Sequence, residues 1–331
     1  MDAEHAASPD ETVGALGEKA VLARVLAALH GSSRALVGPG DDAAVLSAPG
    51  GRVVVSTDTL VHGPDFRLAW SSGYDLGWKA AAVNLADIAA MGAAPTALFV
   101  ALALPDATSV SFVADLARGL REACDALAPG CGVEGGDLTA SDVLTIAVTA
   151  IGVPQGAEPV LRSGARPGDV VAVAGSLGPA ARGLALLFDR FRDGTGAPIP
   201  VAPAALTATE HDDLAAQLRP APPIGLGPVA AHAGATAMMD VSDGLLLDAT
   251  RLADASAVTI ELDGGLDDDA LRGGEDHALL ACFPRDRALP TGFAAIGRVL
   301  ARGVVPVSIA GVPVSGHLGW DPHHDWDAGR G

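Results

Sequence analysis

Two rhythms of apolar residues alternate along this chain, one with the period of a helix and one with that of a strand. Residues 12–30 carry the helical rhythm, and Gly31 stands where it would close the helix. The β-branched run at 52–61 (RVVVSTDTLV) predicts a strand, and a long helix follows at 74–91. A buried strand is expected at 96–104, a helix at 109–128 and a strand at 144–153. Residues 154–169 (PQGAEPVLRSGARPGD) concentrate turn formers and predict a domain junction. Beyond them a strand at 170–174 runs through Gly175-Ser-Leu-Gly178 into a helix at 179–190. Residues 193–204 read as a surface loop, 206–218 as a helix and 220–228 as a Pro-rich connection. A strand at 236–240, a helix at 244–255 and strands near 258–262, 277–283 and 293–299 complete the pattern. Strands and helices mix in both halves, so the expected class is α+β rather than doubly wound α/β, with two mixed domains at 1–154 and 155–331.

Length and composition sharpen that expectation. A chain of 331 residues exceeds what one core usually serves. Its hydrophobic share of 49% suffices for sizeable cores, and an aromatic share of 4% means that small and aliphatic side chains must fill them. Runs such as 93–104 are too short to span a bilayer, no signal peptide is read, and a cytoplasmic location is expected. Cys124, Cys131 and Cys282 lack CxxC spacing and read as plain thiols, not as a disulfide framework or a zinc site. A formal charge of −19 argues against nucleic acid or an anionic membrane as partner. Only two lysines occur, Lys19 and Lys79, and Lys79 follows Asp75 at the spacing of a local helical ion pair. With no GxxxxGK[ST] loop either, any polyphosphate bound here needs a clamp other than lysine.

Carboxylates supply the candidate. Aspartates recur at the ends of predicted elements: Gly40-Asp41-Asp42, Ser56-Thr57-Asp58, Asp87, Gly135-Gly136-Asp137 and Asp240-Val-Ser242-Asp243. Singly, each is also an ordinary turn sequence, and Asp243 equally suits an N-cap of the following helix. Asp87 is harder to read that way. Leu76, Ala80, Val83, Asp87 and Ala90 follow the spacing of one helix face, so Asp87 should be buried beside apolar neighbours. A buried carboxylate needs a cation or donors, and no basic residue shares that face. Asp58, after two hydroxyl residues at a strand end, presents hard oxygen donors of the kind magnesium takes together with water and phosphate. At 240–244 the expected strand-to-helix turn adds backbone N–H groups suited to a phosphate. Several such clusters converging on two or more magnesium ions would make a phosphate-binding surface on an acidic protein.

GDDAAVL at 40–46, STDTLV at 56–61, KAAAVNLADIAAMGA at 79–93, GGD at 135–137, RSGARPGD at 162–169, DVSDGL at 240–245 and GGED at 273–276 occur together in this order. In that arrangement, over residues 38–320, the chain resembles the thiamine-monophosphate kinase family. The resemblance implies ATP-dependent phosphorylation of thiamine monophosphate to thiamine diphosphate, with several Mg2+ ions. It assigns metal binding to Asp42, Ser56, Thr57, Asp58, Asp87, Asp137, Asp240 and Asp243. It assigns nucleotide contacts to Gly136, Arg162 and Ser242, and substrate contacts to Asp65, Glu275 and Trp320. It also implies a homodimer through the N-terminal sheets, a first domain that binds metal and ATP, and a second that completes the nucleotide and substrate site. The acceptor is a phosphate oxygen already ionised at neutral pH, so no general base or nucleophilic side chain is required.

Departures from the family pattern cluster on the substrate side. Asp65 stands where the family has a substrate-contacting histidine, the stretch 263–272 is short, and GWDPHHDW at 319–326 replaces a compact aromatic ending. Two alternatives follow, a kinase of a related phosphomonoester and a catalytically silent nucleotide- and metal-binding homologue.

Overall fold

The computed structural model describes residues 11–36, apart from 17 and 32, and residues 46–320. In the first half, helices α1 (Val13–Leu16) and α2 (Glu18–Ala28) precede strand β1 (Val54–Val61), helix α3 (Gly73–Ala90) and strand β2 (Ala93–Leu104). Helix α4 (Val110–Leu127) and strands β3 (Gly132–Ala140) and β4 (Thr145–Pro154) follow. The strands form a sheet in the order β1-β4-β2-β3, with β2 and β3 parallel and the other neighbours antiparallel.

Alternation along these strands divides the sheet into two unlike faces. Ile146, Val148 and Ala150 of β4 are buried beneath α3, in register with Leu60, Asp58 and Ser56 of β1. Val55, Thr57 and Thr59 of β1, Ala101 of β2 and Asp137 of β3 lie on the opposite face and are exposed. Helices α3 and α4 press together backbone to backbone through glycines. A Cβ on Gly77 would lie 2.0 Å from the Leu116 carbonyl oxygen, and one on Gly119 would lie 2.1 Å from that of Tyr74. Ser72 and Asp75 close the start of α3 as a reciprocal capping box.

The second half comprises β5 (Val170–Ala174), α5 (Pro179–Arg190), α6 (Ala208–Leu218), α7 (Leu226–Ala233), β6 (Ala237–Val241) and α8 (Leu245–Ser256). It continues with β7 (Val258–Leu262), α9 (Asp268–Arg272), β8 (Ala278–Phe283), β9 (Phe293–Ala301), β10 (Val307–Ile309) and β11 (Val312–Pro313). Its sheet runs β11-β10-β7-β9-β5-β8-β6, antiparallel except where β10 meets β7. Edge strand β6 is buried along its whole length and lies against α3. One apolar cluster unites Leu85, Ile88 and Ala89 of α3 with Met238 of β6 and Leu279, Ala281 and Phe283 of β8, so the two sheets share a core.

The α+β class stands, and most elements fall where periodicity puts them. Strand β3 does not. Its Gly135-Gly136 pair reads as a turn, yet Gly136 sits mid-strand because a Cβ there would lie 2.0 Å from the Val100 carbonyl oxygen. Within the helix expected over 12–30 the described residues are helical at Val13–Leu16 and Glu18–Ala28, and the Pro-rich stretch 220–228 already contains the first turn of α7. Lys79 also departs from expectation: it pairs with Glu275, while Asp75 caps its own helix and meets Arg219 at 3.5 Å.

Candidate active site

A cleft of roughly 560 Å³ opens between the two sheets, with β1 and α3 on one wall and the ends of β6 and β8 on the other. Strand alternation brings Ser56 and Asp58 to the helix-covered side of β1. The apolar stripe of α3 delivers Asp87, whose Oδ2 accepts from the Ser56 hydroxyl at 2.5 Å. From the opposite wall β6 contributes Asp240, and the turn after it contributes Ser242 and Asp243. Arg162, Arg251, Glu275 and His277 complete the polar lining.

These carboxylates crowd one another. Burial pushes the Asp87 carboxyl up to about 7, Asp240 and Asp58 add repulsion, and the Ser56 hydrogen bond opposes the rise. Asp58 remains exposed as a residue, yet its carboxyl lies within the cleft walls. That enclosure raises its pKa, with His277 opposing the rise and Asp240 adding to it. Like charges placed together in a walled cleft favour either protonation or a cation. His277, itself buried, meets Asp240 Oδ2 through Nδ1 at 3.0 Å. Burial disfavours its charged form, but the hydrogen bond and charge of Asp240, helped by Glu275, hold its pKa above the ordinary value.

The turn at 242–244 differs from the expected phosphate cradle. Gly244, not Asp243, occupies the N-cap of α8, and no side chain caps it. Asp248, fully buried, accepts the N–H groups of Ser242 at 3.1 Å and Asp243 at 3.0 Å, so those donors are already taken. Arg251 joins Asp243 at 2.6 Å to Asp248 at 2.7 Å. Burial pushes the Asp248 carboxyl up to about 6, and the Asp243 N–H bond and Arg251 counter it. Asp248 was open to the same reasoning as Asp87, because it lies on an apolar helix face with Leu245 and Leu252. The lone histidine after GGED carried no comparable signal.

Of the residues singled out in the sequence, Ser56, Asp58, Asp87, Asp240, Ser242, Asp243, Arg162 and Glu275 share this cleft. Thr57 faces the other side of β1, where its hydroxyl donates to the Val148 carbonyl at 2.9 Å. Gly136 and Asp137 lie on β3, with β4 and β2 between them and β1, and Asp137 shares the open face with Thr57 and Ala101. Asp65 accepts from the Val61 N–H at 2.7 Å and lies close enough to Glu275 and Lys79 to feel their charge. Trp320 touches the site through its backbone, donating to the Asp243 carbonyl at 2.8 Å. Asp42 lies outside the described residues. Among the described residues no three His, Cys, Asp or Glu side chains form a metal cage by themselves. The all-oxygen donors and their mutual repulsion nonetheless suit magnesium, which binds through one or two carboxylates and completes its shell with water and phosphate.

Residues 40–154 match the family described as AIR synthase related protein, N-terminal domain. The chain is 42% identical over 333 residues to thiamine-monophosphate kinase of Mycobacterium tuberculosis, covering 95% of this chain and 94% of that protein. Its fold matches the crystal structure of thiamine-monophosphate kinase from Stenotrophomonas maltophilia K279a with a TM-score of 0.72 at 33% identity, over 90% of this chain and 98% of that one. The structure of AaThiL complexed with AMPPCP and TMP matches with a TM-score of 0.71 at 30% identity, over 92% and 96% of the two chains. With sequence and fold both similar along nearly its whole length, the chain belongs to the thiamine-monophosphate kinase family of enzymes.

Proposed function

We propose that this chain transfers the γ-phosphoryl group of ATP to the phosphate of thiamine monophosphate, giving thiamine diphosphate and ADP. The observation that carries the reading is the cleft in which Asp58, Asp87 and Asp240 converge from both walls, where burial and the charge of Asp240 raise the proton affinity of Asp58 and Asp87. Ser56, Asp58, Asp87, Asp240 and Asp243 would hold magnesium there, with Asp42. Bound magnesium would neutralise the charge on the two phosphates brought together. Arg162, which lines the cleft together with Ser242, supplies a guanidinium for the nucleotide phosphates. Glu275 and Asp65 put negative charge toward the acceptor, which suits a substrate bearing a cationic ring. The protein's remaining task is alignment, because the attacking phosphate oxygen needs no base to ionise it.

A homodimer through the exposed face of the first sheet forms part of this reading, with Trp320 closing the substrate side. Thr57 and Asp137 face the second copy in such a dimer, so any part they take in metal or nucleotide binding is exercised there. No helix among the described residues is long and apolar enough to cross a membrane, and a cytoplasmic location accords with that.

The test is direct. ADP and thiamine diphosphate are measured after mixing the protein with ATP, magnesium and thiamine monophosphate, alongside a panel of other phosphomonoesters. Formation of both products is expected. Turnover of another ester alone would replace the substrate, and the replacement of a histidine by Asp65 makes that panel informative. Silence with every acceptor would leave a nucleotide-binding homologue without kinase activity.

A further inference from the structure

Lys79 is one of only two lysines in the chain, and it is buried. Removing an ammonium from water costs several kcal/mol unless partners replace its hydration. Its partners are unusual in that they come from the second domain. Nζ forms an ion pair with Glu275 Oε2. With the Gln217 amide turned so that its nitrogen donates to the Ala180 carbonyl at 3.0 Å, its oxygen accepts from Nζ at 3.2 Å.

Against the expectation that no basic residue shares the face of Asp87, Lys79, Val83 and Asp87 succeed one another at four-residue intervals along one stripe of α3, with the Lys79 ammonium given to Glu275. At 1.5 Å per residue the ends of that stripe lie about 12 Å apart along the axis. At one end Asp87 stands with the cleft carboxylates, and at the other Lys79 reaches Glu275.

The loop that carries Glu275 is held at three successive side chains. Asp276 accepts the N–H groups of Gly178 at 2.7 Å and Ala180 at 3.0 Å at the start of α5. His277 meets Asp240 at 3.0 Å. Glu275 adopts a left-handed backbone with φ of 73°, a conformation that costs a non-glycine residue about 1–3 kcal/mol and persists only where its surroundings enforce it. Of the three, only Glu275 is held from the first domain. Its Oε2 is turned inward to Lys79, while the side chain as a whole stays 41% exposed.

We propose that Lys79 is a positioning residue for the acceptor substrate: by fixing the Glu275 carboxylate at one end of the α3 stripe, it sets the distance between the group that recognises the substrate's ring and the carboxylates that serve its phosphate. This inference rests on the kinase reading above. A molecule with a cationic ring at one end and a phosphate at the other is measured by such a span, whereas ATP is not.

Steady-state kinetics of Lys79→Met, Lys79→Arg, Glu275→Gln and the double variant Lys79→Met/Glu275→Gln test it. Lys79→Met is expected to raise KM for thiamine monophosphate about tenfold or more while KM for ATP stays within about twofold. Lys79→Arg is expected to recover most of the loss, and the double variant to be little worse than Glu275→Gln alone, because both changes break one interaction. An unchanged KM for thiamine monophosphate, an equal rise for ATP, or losses that add in the double variant would overturn the proposal. Should Lys79→Met not fold, Lys79→Gln, which keeps a donor, carries the same comparison. A wild-type protein that makes no thiamine diphosphate overturns the kinase reading and this inference with it. An active wild type with an indifferent Lys79 variant overturns this inference alone.

Discussion

Asp87 carries opposite consequences for stability and for function. Its carboxyl titrates at about 7 in the folded protein, against about 3.9 for an unperturbed aspartate in an unfolded chain. Between those values the folded state binds more protons than the unfolded state, so stability falls as pH rises across that window. Metal-free protein is therefore expected to show a lower Tm at pH 8 than at pH 5.5 in a thermal scan. Magnesium should restore most at the higher pH, and Asp87→Asn should flatten the metal-free profile. Turnover should move the other way. Asp58→Asn or Asp87→Asn is expected to lower kcat by about two orders of magnitude or more in a protein that still folds, since preorganised charge of this kind is worth several kcal/mol. A near-wild-type rate in both variants would remove these residues from the site. The pattern of an acid on an apolar helix face fits Asp248 as well as Asp87. It could not distinguish a cleft-lining carboxylate from one that ties down the turn beside it.

Helix α3 connects these residues to the fold. It caps itself through Ser72 and Asp75, buries most of its surface and approaches α4 through Gly77 at van der Waals limit. Gly77→Ala gains helix propensity of about 1 kcal/mol, yet its Cβ would meet the Leu116 carbonyl oxygen at 2.0 Å. Backbone cannot yield as a side-chain tip does, so a net loss of about 1–3 kcal/mol is expected, read as a lower urea midpoint. Because displacement of α3 moves Asp87 and Lys79 together, the same variant should lose activity before it loses its fold. The helical period made α3 legible to within a residue at each end. Strand β3 was not legible, since glycines chosen for close approach to β2 look locally like a turn.

For the whole molecule, the continuous apolar cluster beneath both sheets implies that neither half is a free-standing unit. Unfolding by urea is accordingly expected to be a single transition, with intrinsic fluorescence and circular dichroism coinciding. The exposed face of the first sheet, with Val55 at 56% exposure in a row with Thr57 and Thr59, is the proposed dimer contact. Light scattering should report a dimer for the wild type and a smaller species for Val55→Arg.

What the amino-acid order determined by itself was local or compositional: the run of helices and strands, the scarcity of lysine, the supply of aspartates and the motifs that mark the family, whereas Asp58 and Asp137 fall within strands and not at their ends. Those follow from periodicity and residue chemistry, which act over a few positions. Only the tertiary structure decided which aspartates meet. Strand register sends Asp58 to the cleft and Asp137 to the opposite face, and one step along β1 separates Ser56 from Thr57 in the same way. The partner of Lys79 was likewise decided in three dimensions. An acid four residues away suits a local pair, but Asp75 is engaged at the helix cap, and a buried ammonium takes the carboxylate that the loop before β8 brings to it.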